Sequence, residues 1–150
     1  MGRFRIKLRT ALIFLAGAGI IGSLLALRPT CTEVGPGELS HLSVAHLANG
    51  EARSFCYKDS VGEKIRFILA RGSDGEIRSV FDACRECYSF HKGYKVSDGA
   101  LICRLCGNRY EIDRMMAGKA SCVPVKLPHQ EHDGMVQVKA ADLRAGRELF

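Results

Sequence analysis

The 150-residue chain contains no tryptophan, and aromatic residues make up only 7% of it. No stripe of Lys and Arg is interleaved with those few aromatics, so a nucleic-acid surface has no support. A Ser/His/Asp set, a pair of facing carboxylates and a Gly-rich phosphate loop are all missing. Ordinary hydrolytic catalysis therefore has no visible machinery. There is no internal repeat and no low-complexity segment, which leaves room for one modest folded domain.

What is present is unevenly distributed. Lys and Arg number 22 against 16 Asp and Glu, a net of +6. Arg3, Arg5, Lys7 and Arg9 stand in the first ten positions without an acid; setting them aside leaves 18 against 16, a net of +2. Behind them runs ALIFLAGAGIIGSLLAL, residues 11–27, without a charge. As a helix it would span about 25 Å, a little short of a hydrocarbon core of about 30 Å. A cleaved signal peptide is the competing reading, but no small-x-small cleavage site follows. The sequence thus predicts a basic cytoplasmic segment over 1–10, a transmembrane anchor over 11–27 and a linker over 28–40. A metal-binding β domain is expected over 41–150. The charge bias keeps the N-terminus inside and turns that domain outward, to the periplasm or exterior.

The domain reads as mainly β. Asn49-Gly50, Asp74-Gly75, Asp98-Gly99 and Asp133-Gly134 supply the positive φ values of tight hairpin turns. Between them lie β-prone runs at 54–58, 64–70, 76–81 and 135–139. In the second, Ile65, Phe67 and Leu69 point one way while Arg66, Ile68 and Ala70 point the other. Only Ala140 to Arg147 suggests helix.

Seven cysteines stand in this chain, and an outward-facing domain lies where idle thiols oxidise. Four form two pairs, Cys84/Cys87 and Cys103/Cys106, separated by fifteen residues. Cys-x-x-Cys curls the backbone so that two sulfurs reach one metal, and two such turns make a cage of four sulfurs. Gly107 follows the second pair where the chain must turn; no glycine follows the first. The cage suits zinc or an iron–sulfur cluster, and either leaves a negative site that Arg85, Arg104 and Arg109 are placed to moderate. Paired disulfides and a thioredoxin-like dithiol are the remaining options, the last lacking its βαβ setting.

The order of elements resembles Rieske iron–sulfur domains: a strand ending at Phe81-Asp82, a ligand pair, Gly93-Tyr94, a turn, strand Leu101-Ile102, a second pair, then Tyr110 and Lys126 to Pro128. Cys87 and Cys106 stand where a Rieske loop carries histidine. From about Leu42 to Phe150 the chain more closely resembles the FtrD-like family of membrane iron–sulfur proteins. The matching stretches include Ala48-Asn49-Gly50-Glu51-Ala52, Phe81-Asp82-Ala83-Cys84-Arg85-Glu86-Cys87, Lys92-Gly93-Tyr94 and Ile102-Cys103-Arg104-Leu105-Cys106-Gly107. Where that family has Gly-Gly-Cys-Asn-Pro, this chain reads Ala120-Ser121-Cys122-Val123-Pro124. The resemblance implies a Rieske-like antiparallel β domain with two metal-binding loops. It also implies a place in iron transport or respiratory electron flow, beside a membrane permease or oxidoreductase complex.

Cys84, Cys87, Cys103 and Cys106 are the expected ligands of an iron–sulfur cluster, [2Fe–2S] in type, with zinc as the alternative. Cys122 and His91 are expected beside the cluster rather than on it. For the remaining cysteines a Cys56–Cys122 disulfide with a free Cys31 is one arrangement, and Cys56 as a small buried hydrophobe is the other. His41, His46, His129 and His132 have no ligand-like spacing. The function expected is that of an electron-transfer component of the inner membrane, with a single span, rather than a stand-alone enzyme. A zinc-stabilised interaction module is the second possibility.

Overall fold

The computed structural model describes residues 31–117 and 122–150. The anchor expected over 11–27 lies outside the described residues, among which no helix is long and apolar enough to cross a membrane.

The centre of the fold is a hairpin of two eight-residue strands, β4 (Lys64–Arg71) and β5 (Ile77–Cys84). Around it a five-stranded sheet runs in the order β1 (Thr32–Val34), β3 (Ala52–Lys58), β4, β5 and β9 (Pro124–Lys126). The alternation seen in the sequence of β4 places its two faces in two different cores. Ile65, Phe67 and Leu69 join Phe55, Phe81, Leu127 and Leu143 on one side, while Ile68 and Ala70 join Val80, Tyr94 and Leu101 on the other. A strand buried on both faces needs apolar residues at successive positions, which is why 67–70 reads FILA.

The first core is closed by β2 (Leu42–Ser43), β10 (Gln130–His132) and β11 (Met135–Gln137), a three-stranded antiparallel sheet. Helix α1 (Ala140–Ala145) contributes the fully buried Leu143. The second core is closed by another antiparallel sheet, β6 (Tyr94–Ser97), β7 (Ala100–Cys103) and β8 (Arg109–Glu111). That second core runs directly into the cysteines, since Cys84, Cys103 and Cys122 are buried members of it.

Two of the four expected turns are two-residue hairpins with both central residues at positive φ: Asp98-Gly99 (48° and 69°) and Asp133-Gly134 (49° and 71°). Asp74-Gly75 lies in the longer β4–β5 connection and Asn49-Gly50 leads into β3. The β3–β4 turn relies on a side chain instead. Buried Asp59 accepts N–H bonds from Val61 and Glu63, at 2.9 and 3.0 Å, and pairs with Arg147 near the C-terminus.

Three features differ from what the sequence suggested. The described part of the supposed linker belongs to the domain, because β1 pairs with β3 and Leu39 is buried in the first core. The β1–β3 pair is also parallel, so the sheet is not wholly antiparallel. The spare cysteines also pair differently: Cys31 is bonded to Cys56, with Cα atoms 5.7 Å apart, and Cys122 is a free thiol. Register explains the pairing, since Cys56 lies opposite Glu33 on β1, two residues from Cys31, on the far edge of the sheet from β9.

Candidate metal centre

Cys84 is the last residue of β5 and Cys103 the last of β7, so the first candidate ligand of each pair is fixed by a strand end packed in one core. Each following turn is closed by backbone bonds. The Cys87 N–H donates to the Cys84 carbonyl at 3.1 Å, and the Gly107 N–H donates to the Cys103 carbonyl at 3.0 Å. Gly107 takes φ +75°, the left-handed conformation that closes the second turn. The first loop turns without a glycine after its second cysteine. It runs through a 3-10 turn, Tyr88–Phe90, and reverses at His91 with φ +52° and Gly93 with φ +64°.

The two loops are tied to each other. The Arg104 N–H donates to the Gly93 carbonyl at 3.0 Å, and its guanidinium donates to the Tyr94 carbonyl at 2.9 Å. Beneath them Asp82 accepts the Tyr94 N–H at 2.6 Å and lies 3.7 Å from Arg66. Burial pushes the Asp82 carboxyl up, against the pull of that N–H and of the Arg66 and Arg104 cations.

The four predicted ligands fall in two groups that share Cys87, and Cys122 joins the one that holds Cys106. One trio of ligand sulfurs, Cys84, Cys87 and Cys103, lies within 4.8 Å, and so does a second, Cys87, Cys106 and Cys122. The Cys122 sulfur is 3.1 Å from that of Cys84, 3.3 Å from Cys87 and 3.4 Å from Cys106. The approach to β9 delivers it: Pro124 pairs with Cys84, the Arg85 N–H donates to the Val123 carbonyl at 3.1 Å, and the Tyr110 hydroxyl donates to the Cys122 carbonyl. His91 is exposed, and what it contributes is a backbone carbonyl that accepts from Arg66 at 3.0 Å. Of the three expected cations, Arg109 is engaged with Glu111 at 2.8 Å and with the Asp98 carbonyl, and Arg104 with backbone.

The electrostatics fit a bound cation. Contact with Cys122 pulls the Cys87 thiol down, but burial and Cys84 outweigh it and push Cys87 up to about 12. Hydrogen bonding to Cys84, then burial, pushes the Cys122 thiol up as well. Burial also acts against ionisation of Cys106, but the backbone N–H of Asn108 and the neighbouring thiols prevail and hold it below the ordinary range. Thiols this close cannot all ionise unless a metal neutralises them. Tyr94 points the same way. Its hydroxyl is buried without a partner, and burial followed by the neighbouring Cys84 pushes it up, so it stays an O–H donor beside sulfur.

Elsewhere, Ser79 Oγ and His129 Nδ1 lie 2.7 Å apart. Ser79 is buried and donates to the Leu127 carbonyl at 2.5 Å, so the pair staples β5 to the chain after β9 rather than forming a nucleophile.

A β domain whose two cysteine turns and one further strand lead converge five sulfurs belongs to the class of thiolate metal proteins. The chain is a member of the FtrD-like family, described as membrane iron-sulfur containing proteins, whose family model matches residues 47–150. No curated protein matches the sequence. Among solved structures, the quaternary ammonium Rieske monooxygenase CntA is similar over part of its length. Its complex with the inhibitor MMV12 matches at 16% identity and TM-score 0.43, over 67% of this chain and 31% of that one. Its complex with L-carnitine matches at the same identity and TM-score, over 67% and 32%. The chain therefore spans about a third of the length of those proteins.

Proposed function

We propose that the protein is an electron carrier of the inner membrane. Its outward-facing domain holds a [2Fe–2S]-type cluster on Cys84, Cys87, Cys103 and Cys106 and serves a membrane-bound redox partner, such as an iron permease or an oxidoreductase complex. The observation that carries the reading is the convergence of free sulfurs in a domain that also contains the Cys31–Cys56 disulfide. Disulfides persist in oxidising compartments. Thiols 3.1 to 3.4 Å apart in such a compartment stay unpaired when a metal holds them. Membership of an iron–sulfur family favours iron among the metals that thiolates accept. When bound, the cluster supplies a one-electron couple. The chain fixes its ligands on strand ends and shields it with the second core, leaving Cys106 exposed. Tyr88, Phe90 and Leu105, apolar and exposed on the same two loops, provide a surface against which a partner can bring its acceptor close.

Zinc is the second reading, favoured by one observation. Each sulfur trio lies within 4.8 Å, and a single tetrahedral ion with bonds of about 2.3 Å would set sulfurs about 3.8 Å apart. One experiment separates the two. The protein prepared without oxygen should contain iron and acid-labile sulfide, be brown, bleach with dithionite and then give a low-temperature EPR signal. Four thiolates place more negative charge on the cluster than a Cys₂His₂ set, so its potential should lie below the Rieske range of about −150 to +300 mV. A colourless protein with stoichiometric zinc and no iron would sink the electron-transfer reading and leave a zinc-held interaction module.

A further inference from the structure

Four ligand places and five sulfurs leave one sulfur over, and the geometry does not treat Cys122 as a bystander. In a tetrahedral thiolate site sulfurs sit about 3.8 Å apart. Cys122 approaches Cys84, Cys87 and Cys106 at 3.1, 3.3 and 3.4 Å, as near as a ligand would come. A buried cysteine that merely fills space packs against carbon; this one meets three sulfurs. Its backbone is held at its own carbonyl by Tyr110 and at the next carbonyl by Arg85, so the thiol is presented to the site from a fixed base. The partnerless Tyr94 hydroxyl lies in the same core.

The five thiols are not equivalent. Cys84 and Cys103 are buried at strand ends, and Cys103 belongs only to the trio away from Cys122. Cys106 is exposed, whereas Cys122 is buried, and the two share a trio with Cys87. We propose that Cys122 is a reserve ligand that exchanges with Cys106. In the exchange the Cys122 thiol gives up its proton as its sulfur binds the metal, and the departing Cys106 thiolate takes one up. No electron moves and the charge of the site is unchanged. What changes is the environment of the fourth ligand, from a solvated sulfur to a buried one, and solvent exposure is among the factors that set the potential of such centres. The proposal rests on the metal-centre reading above but not on the identity of the metal.

The test uses the full chain and its Cys106→Ser, Cys122→Ser and doubly substituted forms, with Cys103→Ser as reference. Total iron plus zinc per chain is measured in each. Either single change at 106 or 122 should preserve the metal, and the double change should lose it as completely as Cys103→Ser does. Loss in Cys106→Ser alone, or in Cys122→Ser alone, equal to that of the double form overturns the exchange. A second readout is taken only on wild type and Cys122→Ser that have been confirmed to hold equal metal. In the metal-loaded wild type, iodoacetamide should alkylate Cys106 during its free intervals, and removing Cys122 should protect Cys106 by leaving it permanently bound. Equal labelling of Cys106 with and without Cys122 also overturns the proposal. A wild type loaded only with zinc would defeat the iron–sulfur reading while leaving both readouts interpretable.

Discussion

Gly93 shows how a single position joins the two loops. It adopts φ +64°, and a Cβ there would stand 2.5 Å from the buried Asp82 carboxylate. Its carbonyl accepts from the second loop, and the next N–H is the one Asp82 binds. Gly107 offers an internal comparison, since it adopts φ +75° with open space where a Cβ would be. Gly107→Ala should cost only the backbone strain of a left-handed residue, about 1–3 kcal/mol. Gly93→Ala carries that strain and must also displace Asp82, so its urea midpoint should fall further. Equal midpoints would mean that Asp82 yields freely and does not brace the loops. The four cysteines of the two pairs were readable at this scale because their spacing states a geometry. Cys122 was placed beside the cluster only through the family resemblance: it stands sixteen residues beyond Cys106, and no spacing rule covers that distance. The register of β9 on β5 brings it in, and register is set by pairing that no local motif records.

At the scale of elements, the long strands were legible and most of the short ones were not. β3, β4 and β5 carry seven or eight residues with apolar runs or alternation, enough for a period to be seen. β1, β9 and β10 have three residues each, and β10 is the fully exposed Gln-Glu-His. Such pieces are strands only because a neighbour's edge is available. The parallel β1–β3 pair is an extreme case, because three residues offer little pairing energy and parallel ladders are slightly weaker per residue. The Cys31–Cys56 bond sits beside this pair and closes a loop of twenty-five residues. Its removal should therefore act on the edge of the sheet and on the unfolded chain, not on the metal centre. Cys31→Ser/Cys56→Ser should lower stability by about 2–4 kcal/mol by chemical denaturation and leave metal content unchanged. A loss of metal in that variant would show that the edge strand and the centre are coupled through β3, β4 and β5.

At the scale of the whole molecule, two independent features bear on which side of a membrane the domain faces. One is the concentration of Arg3, Arg5, Lys7 and Arg9 ahead of an uncharged stretch, with Arg28 just after it. Positive charge tends to be retained on the cytoplasmic side, and in the topology we propose the later residues face outward. The other is the division of labour among the cysteines: two are joined as a disulfide and five remain free in one cluster. In the cytoplasm all seven would stay reduced and the Cys31–Cys56 bond would be unexpected. Outside, the bond forms and the clustered thiols need a metal to keep them apart from one another. The two arguments use different parts of the chain and agree. Alkaline phosphatase, which needs an oxidising compartment, should therefore be active when fused after Phe150 and inactive when fused after Arg9. Deleting the four early cations should weaken that preference by removing its electrostatic cause. An inactive fusion after Phe150, with a cytoplasmic reporter active at the same position, would place the domain inside. The disulfide would then have to form against its compartment, and the oxidising-environment argument for a metal on the five thiols would fall with it.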